Sequence, residues 1–90
     1  GARERRATQV VAFVQRARRL DLFKAPGVAE TIDWANALLA LDALSLDPQS
    51  VSDTLGVLLK YQDDIAQFEG GATKAILDEL HAEGILERHP

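Results

Sequence analysis

Residues 20–41 read LDLFKAPGVAETIDWANALLAL, a Pro-Gly break followed at once by a strongly apolar segment. Pro26 disfavours helical geometry at the residue before it, and Gly27 frees the backbone to change direction. We therefore expect residues 21–29 to form a shaped loop against a helix N-terminus. Such an end presents unpaired N–H groups and a partial positive charge, which favour a phosphate or a carboxylate. A plain helix-to-helix connection is the simpler interpretation.

Outward from this loop, apolar side chains recur at helical spacing and predict five helices and no strand. The predicted helices begin and end near residues 3–20, 29–43, 48–60, 61–68 and 72–83. Asp47 and Pro48 are a strong start for the third helix, Gly70 and Gly71 end the fourth, and Gly84 ends the fifth before Ile85 and Leu86 fold back. The expected fold is all-α, a compact bundle of four to five short helices that forms one domain over residues 1–90.

The second helix is expected to be the central, most buried one. Its apolar residues cover about half its circumference: Ile32, Trp34, Ala35, Leu38, Leu39 and Leu41. Arg3 and Arg6 continue the apolar stripe of the first helix, and since their burial would be costly, we expect that turn to fray or overhang. Gly56 inside the third helix predicts close packing against another helix.

Charge is unevenly placed along the chain. Residues 1–24 carry seven basic and two acidic side chains, whereas the rest carries three basic and twelve acidic ones. A basic first helix could bind nucleic acid, or it could contact the acidic helices of its own domain. Because the pI is near 5.0 and no aromatic residues alternate with the arginines, we expect no nucleic-acid partner.

Composition excludes several classes of protein. Cysteine is absent, so there is no disulfide or thiolate site, and no apolar run is long enough to span a bilayer. A chain that is 47% apolar and 27% charged is typical of a soluble globular domain, and we expect a cytoplasmic one without a membrane partner. Because it begins with Gly1 and enters helical sequence at once, we expect it to be a fragment of a longer protein.

Side chains that could carry chemistry are few. His81 and His89 straddle a glycine break and make a poor metal pair, and the adjacent Asp63 and Asp64 point in different directions on a helix. Asp78, Glu79 and Glu83 are typical of a solvated helix face. We therefore predict no catalytic residues and no metal site, and we interpret Trp34 as a core aromatic.

Three segments mark the ends of the second and third helices: Gly27-Val28-Ala29-Glu30-Thr31-Ile32 opens the second, Asp47-Pro48-Gln49-Ser50-Val51 opens the third, and Val57-Leu58-Leu59-Lys60-Tyr61 ends it. In this order of elements the chain resembles the C-terminal lid of MoxR-type AAA+ ATPases, and the stretch LDLFKAPGVAETIDWA is similar to a subgroup associated with carbon monoxide dehydrogenase maturation. The resemblance covers about residues 8–65 well and the last helix poorly. The family's lid arginine, called sensor 2, falls at Thr31.

The resemblance implies that the lid closes over ATP and Mg held by an upstream core domain, and couples nucleotide state to client remodelling and metal-cofactor maturation. This fragment would bind no cofactor and hydrolyse no ATP alone, whereas the parent would be an ATP hydrolase. The implied partners are that core domain, neighbouring subunits of a hexameric ring, and a von Willebrand A-domain protein. The implied nucleotide-binding residues are Gly27, Val28, Ala29 and Thr31, with Lys24 as a weaker cationic substitute.

Two other functions remain open. A stand-alone helical protein-interaction domain fits the same sequence. A winged-helix-like DNA-binding module is suggested by the ending LDELHAEGILERHP, although residues 72–87 carry Lys74 as their one cation.

Overall fold

The computed structural model describes residues 2–41 and 46–86. Its helices are α1 (Ala2–Ala17), α2 (Val28–Ala40), α3 (Pro48–Leu58), α4 (Gln62–Gln67) and α5 (Thr73–Ala82). A short π-helical segment, Phe68–Ala72, lies between the last two, and it is kinked at Gly71, whose φ of 144° is not helical. The described ranges contain no strand, so the expected all-α bundle of short helices is confirmed. Residues 42 and 43 of the expected second helix lie outside the described residues, as does His89.

Two helix ends follow from local chemistry that the sequence predicts. Asp47 is the N-cap of α3: its Oδ1 accepts a hydrogen bond of 2.7 Å from the Ser50 N–H, and Pro48 takes the first helical position. After α5 the chain reverses at Gly84, whose φ of 77° is in the left-handed region. The Ile85 N–H then donates to the Leu80 carbonyl at 2.9 Å, which completes a Schellman turn.

The core is centred on aromatic side chains from three elements. Phe13 of α1 lies 5.0 Å from Trp34 of α2 and 6.2 Å from Phe68 of the π-helical segment, measured between ring centroids. The Trp34 indole N–H donates to Thr54 Oγ1 at 2.7 Å, so its one polar group is satisfied inside the core. The interpretation of Trp34 as a core aromatic is confirmed.

The expectation that α2 is the most buried helix is wrong. Its fully buried residues are Trp34 and Leu38, whereas α3 buries five residues. Ile32, Leu39 and Leu41, expected in the core, are about half exposed, at 56%, 48% and 49%. The physical reason is that α2 packs mainly against α3 and less closely against α1, and within the described residues nothing else covers these three side chains.

Two further expectations fail at single residues. Arg6 is buried rather than frayed or overhanging, because α1 is already helical at Ala2 and places the side chain, including Nη1 of its guanidinium, inside the bundle; Arg3 is exposed. Gly56 is exposed, and a Cβ built on it would meet no atom within 4 Å. The glycine in α3 is therefore not there for close helix packing.

Candidate functional site

A buried carboxylate of α4 holds the loop between α1 and α2 in place. Asp64 in α4 is only 1% exposed, and its two oxygens accept hydrogen bonds from the backbone N–H groups of Phe23, at 2.9 Å, and Lys24, at 3.1 Å. Its neighbour Asp63 is exposed, so the two aspartates do point in different directions. Asp64 was missed as a positioning residue, because its partners lie about forty residues earlier in the chain.

The start of α2 is fixed by a second carboxylate. Glu30 Oε1 accepts a hydrogen bond of 2.9 Å from the Gly27 N–H, and Thr31 Oγ1 donates to the Gly27 carbonyl at 2.7 Å. A Cβ at position 27 would lie 2.7 Å from that Glu30 oxygen, so the end of the flexible Glu30 side chain would have to shift to admit one. The Gly27 N–H, and then the Glu30 N–H, lower the pKa of Glu30, with smaller contributions from Lys24 and Lys60.

The five predicted nucleotide-binding residues surround this helix start. Val28 and Ala29 are exposed, and because they begin the helix, their backbone N–H groups have no carbonyl acceptor within it. Thr31 is half-buried. Lys24 lies near enough for its charge to act on Glu30. An incoming phosphate would, however, meet the ionised Glu30 carboxylate at the same helix end. The helix start is therefore already capped by an anion of its own.

A second feature, absent from the sequence-based expectations, is a groove between α1 and α2. At one end a cavity of about 330 Å³ is lined by Val11, Val14, Gln15, Arg18, Val28, Thr31 and Ile32. At the other a cavity of about 350 Å³ is lined by Arg3, Arg6, Ala7, Ala35, Asn36 and Leu39. We call these two cavities and their lining residues the α1–α2 groove.

Sequence reasoning missed the groove because it assigned Ile32 and Leu39 to the core. The signal was an apolar arc on α2 covering about half the helix, wider than a single neighbouring helix covers. Which half is covered depends on where α1 lies, and local sequence does not fix that.

The loop also carries an exposed aromatic pair. Phe23, which is 74% exposed, lies 5.9 Å from Tyr61 between ring centroids, and with Gln62 and Asp63 these rings line a shallow pocket of about 270 Å³. Residues 61–63 come from the α3–α4 connection and the start of α4, so the pair joins this connection to the α1–α2 loop.

The acidic face of α5 is exposed, as expected, but it is also paired. Arg16 of α1 contacts Glu79, at 3.5 Å, and Glu83, and Lys74 contacts Asp78 at 2.8 Å. The interpretation that the basic first helix meets acidic helices of its own domain is therefore confirmed for Arg16.

The remaining chemistry is limited. In residues 2–41 and 46–86 no group of three or more His, Asp or Glu side chains is placed to hold a metal ion. Among the same residues, no helix has the length and hydropathy needed to cross a bilayer.

Comparisons of the chain with protein-family models, with curated proteins and with solved structures find no match.

Proposed function

We propose that this chain is the helical lid of a MoxR-type AAA+ ATPase. The observation that carries the proposal is the connection between α1 and α2, which contains the Pro-Gly turn. Asp64 binds the backbone of this connection at Phe23, and Glu30 binds it at Gly27, so the exposed first turn of α2 is fixed in place. An ordered, exposed helix start of this kind suits a lid, because rigid-body closure of one domain on another can be transmitted through it. The order of helices agrees with the resemblance.

In this proposal a separate core domain holds ATP and Mg and carries out hydrolysis, while the lid contributes no catalytic group. ATP binding favours the closed arrangement through contacts made only in that state. Neighbouring subunits of a hexameric ring sense closure, and the assembly remodels a client in the cytoplasm to help insert a metal cofactor, with a von Willebrand A-domain protein as partner.

The contact between lid and nucleotide would be weaker than in a family member with a sensor-2 arginine. Thr31 already donates its hydroxyl hydrogen to the Gly27 carbonyl, and it cannot supply a guanidinium's charge and paired donors. Lys24 is the cation beside the helix start, and its charge partly offsets that of Glu30. The proposal therefore assigns this lid to packing and coupling more than to phosphate binding.

The gene itself provides the first test. The proposal expects a G-x-x-x-x-G-K-[ST] motif within roughly 250 residues upstream of the Gly1 codon, the span of one ATPase core domain. A natural start codon beside Gly1 would overturn the proposal.

Where that motif is present, Thr31→Arg in the full-length protein tests the nucleotide contact. An arginine at the helix start adds a charged donor, so we expect ATP affinity or turnover to change by about tenfold or more. Asp33→Arg, on the exposed side of the same helix, is the matched control and should change neither. If both variants match the wild type, α2 does not approach the phosphates.

A stand-alone helical interaction domain is the second candidate, and the α1–α2 groove favours it. An exposed apolar groove is a common docking surface for another protein. The DNA-binding alternative gains no such support, because Lys74 is paired with Asp78 on a helix that also carries Glu79 and is followed by Glu83.

A further inference from the structure

The α1–α2 groove has the dimensions of a helix-binding cleft. Arg18 and Val28 line one cavity, and Arg3 and Leu39 line the other. The two helices therefore run antiparallel along the groove. From position 3 to position 18 is about 22 Å at the helical rise per residue, the length of a helix of about 15 residues.

Apolar side chains that remain exposed run along the groove. Val11 on α1 is 48% exposed, and Val28 and Ile32 on α2 are 72% and 56% exposed. On α2 the exposed apolar positions 28, 32 and 39, with Ala35 between, follow the spacing of one helical stripe. A stripe of this kind normally lies against a neighbouring helix.

The charges of the groove have one sign. Arg3 and Arg6 line one end and Arg18 lines the other, and none of the residues that line either cavity is acidic. This contrasts with the chain as a whole, whose net charge is −4. Apolar contacts in the middle and positive charge at both ends are complementary to a helix with an apolar face and carboxylates near its two ends.

We infer that the α1–α2 groove binds an acidic amphipathic helix of a partner protein. The apolar face of that helix covers Val28, Ile32 and Leu39, and its terminal carboxylates pair with Arg3 and Arg18. The inference does not depend on the ATPase proposal: the groove includes Val28 and Thr31 at the start of α2, but the argument uses its apolar and basic lining and no bound nucleotide.

The chain's own described elements do not supply this helix. The acidic helix α5 turns its apolar residues, Ile76, Leu77 and Leu80, into the core, so a second copy cannot offer them to the groove. Since none of the described elements can fill the groove, the proposal assigns it to a helix of another protein.

The test uses two synthetic helical peptides of about 16 residues that share one leucine stripe. One carries glutamate in its first and last turns, and the other carries lysine at the same positions. Fluorescence anisotropy should show that the 90-residue chain binds the glutamate peptide at least about tenfold more tightly than the lysine peptide. The double variant R3E/R18E should reverse that preference.

Matched controls distinguish peptide binding in the groove from nonspecific electrostatic or hydrophobic binding elsewhere on the surface. R5E/R19E changes two arginines that are exposed but line neither cavity, and it should alter affinity by less than about twofold. Ile32→Ser should weaken binding of the glutamate peptide about tenfold, whereas Val57→Ser, on the exposed side of α3, should not. Amide shifts on peptide binding should centre on α1 and α2.

Several results would overturn the inference. These are no binding of the glutamate peptide below about 100 μM, equal affinity for both peptides, or equal loss in R5E/R19E and R3E/R18E. Amide shifts centred on Phe23 and Tyr61 would move docking to the aromatic pair. A dimer of the chain that Ile32→Ser converts to monomer would make a second copy the occupant.

Discussion

At the scale of single residues, Asp64 is expected to contribute strongly to the free energy of unfolding. It is a buried carboxylate whose two oxygens each accept a backbone N–H from the α1–α2 loop. We expect Asp64→Ala to lower the free energy of unfolding by about 2–3 kcal/mol, because two backbone donors lose a charged acceptor. Urea unfolding measures this, and amide exchange at Phe23 and Lys24 should speed up.

Asp63→Ala is the control for Asp64, since the neighbouring carboxylate is exposed. It should change the free energy of unfolding by less than about 0.5 kcal/mol. Equal stability losses in the two variants would mean that Asp64 does not hold the loop.

The roles of single residues were predictable where the hydrogen-bond partner is close in sequence, or where a large apolar side chain is expected only in the core. Trp34 and the Asp47 cap belong to this group. Asp64 and Arg6 do not: the first binds a segment about forty residues away, and the second is buried by an interhelical cleft. Such roles depend on tertiary neighbours that no spacing rule encodes.

At the scale of elements, two glycines illustrate opposite demands on the backbone. Gly56 lies inside α3 with open space where a Cβ would be, whereas Gly84 has a φ of 77° in the turn after α5. We expect Gly56→Ala to raise the free energy of unfolding by about 0.5–1 kcal/mol, because alanine favours the helix and restricts the unfolded chain.

The same substitution at Gly84 should have the opposite sign and lower stability by about 1 kcal/mol, since alanine disfavours the left-handed region. Thermal unfolding of the two variants gives the comparison directly. A loss of stability in Gly56→Ala would show that this position has a packing role after all.

Element boundaries were largely predictable, and element faces were not. Caps, prolines and glycines determine where α3 and α5 begin or end. The face that α2 buries depends instead on the position of α1 and α3, so Ile32 and Leu39 were assigned to the core although they line an open groove. That same error concealed the groove, because side chains buried in a core would leave no surface for a partner.

At the scale of the whole molecule, stability and surface chemistry are separated. The core joins α1, α2, α3 and the π-helical segment through Phe13, Trp34, Phe68 and Thr54. The Arg16 ion pairs add a polar contact between α1 and α5. The exposed side chains of α2 in the groove, Val28, Ile32 and Leu39, take part in neither, so changing them can alter binding without unfolding the bundle.

Thr54 tests how this core is held together. Its hydroxyl accepts the Trp34 indole N–H at 2.7 Å and donates to the Ser50 carbonyl at 2.7 Å, which ties α2 to α3. Thr54→Val keeps the shape but leaves the buried indole N–H without an acceptor, so we expect a loss of about 1–3 kcal/mol in the free energy of unfolding. For a chain of this size Tm should fall by about 4–8 °C for each kcal/mol.

Thr54→Ser is the matched variant, because it keeps the hydroxyl and removes one methyl group, at a cost of about 1 kcal/mol. The hydrogen bond is the dominant contribution if the valine variant is the less stable of the two and its tryptophan emission differs from that of the wild type. If valine is tolerated better than serine, packing around Thr54 outweighs the hydrogen bond, and the link between α2 and α3 is apolar.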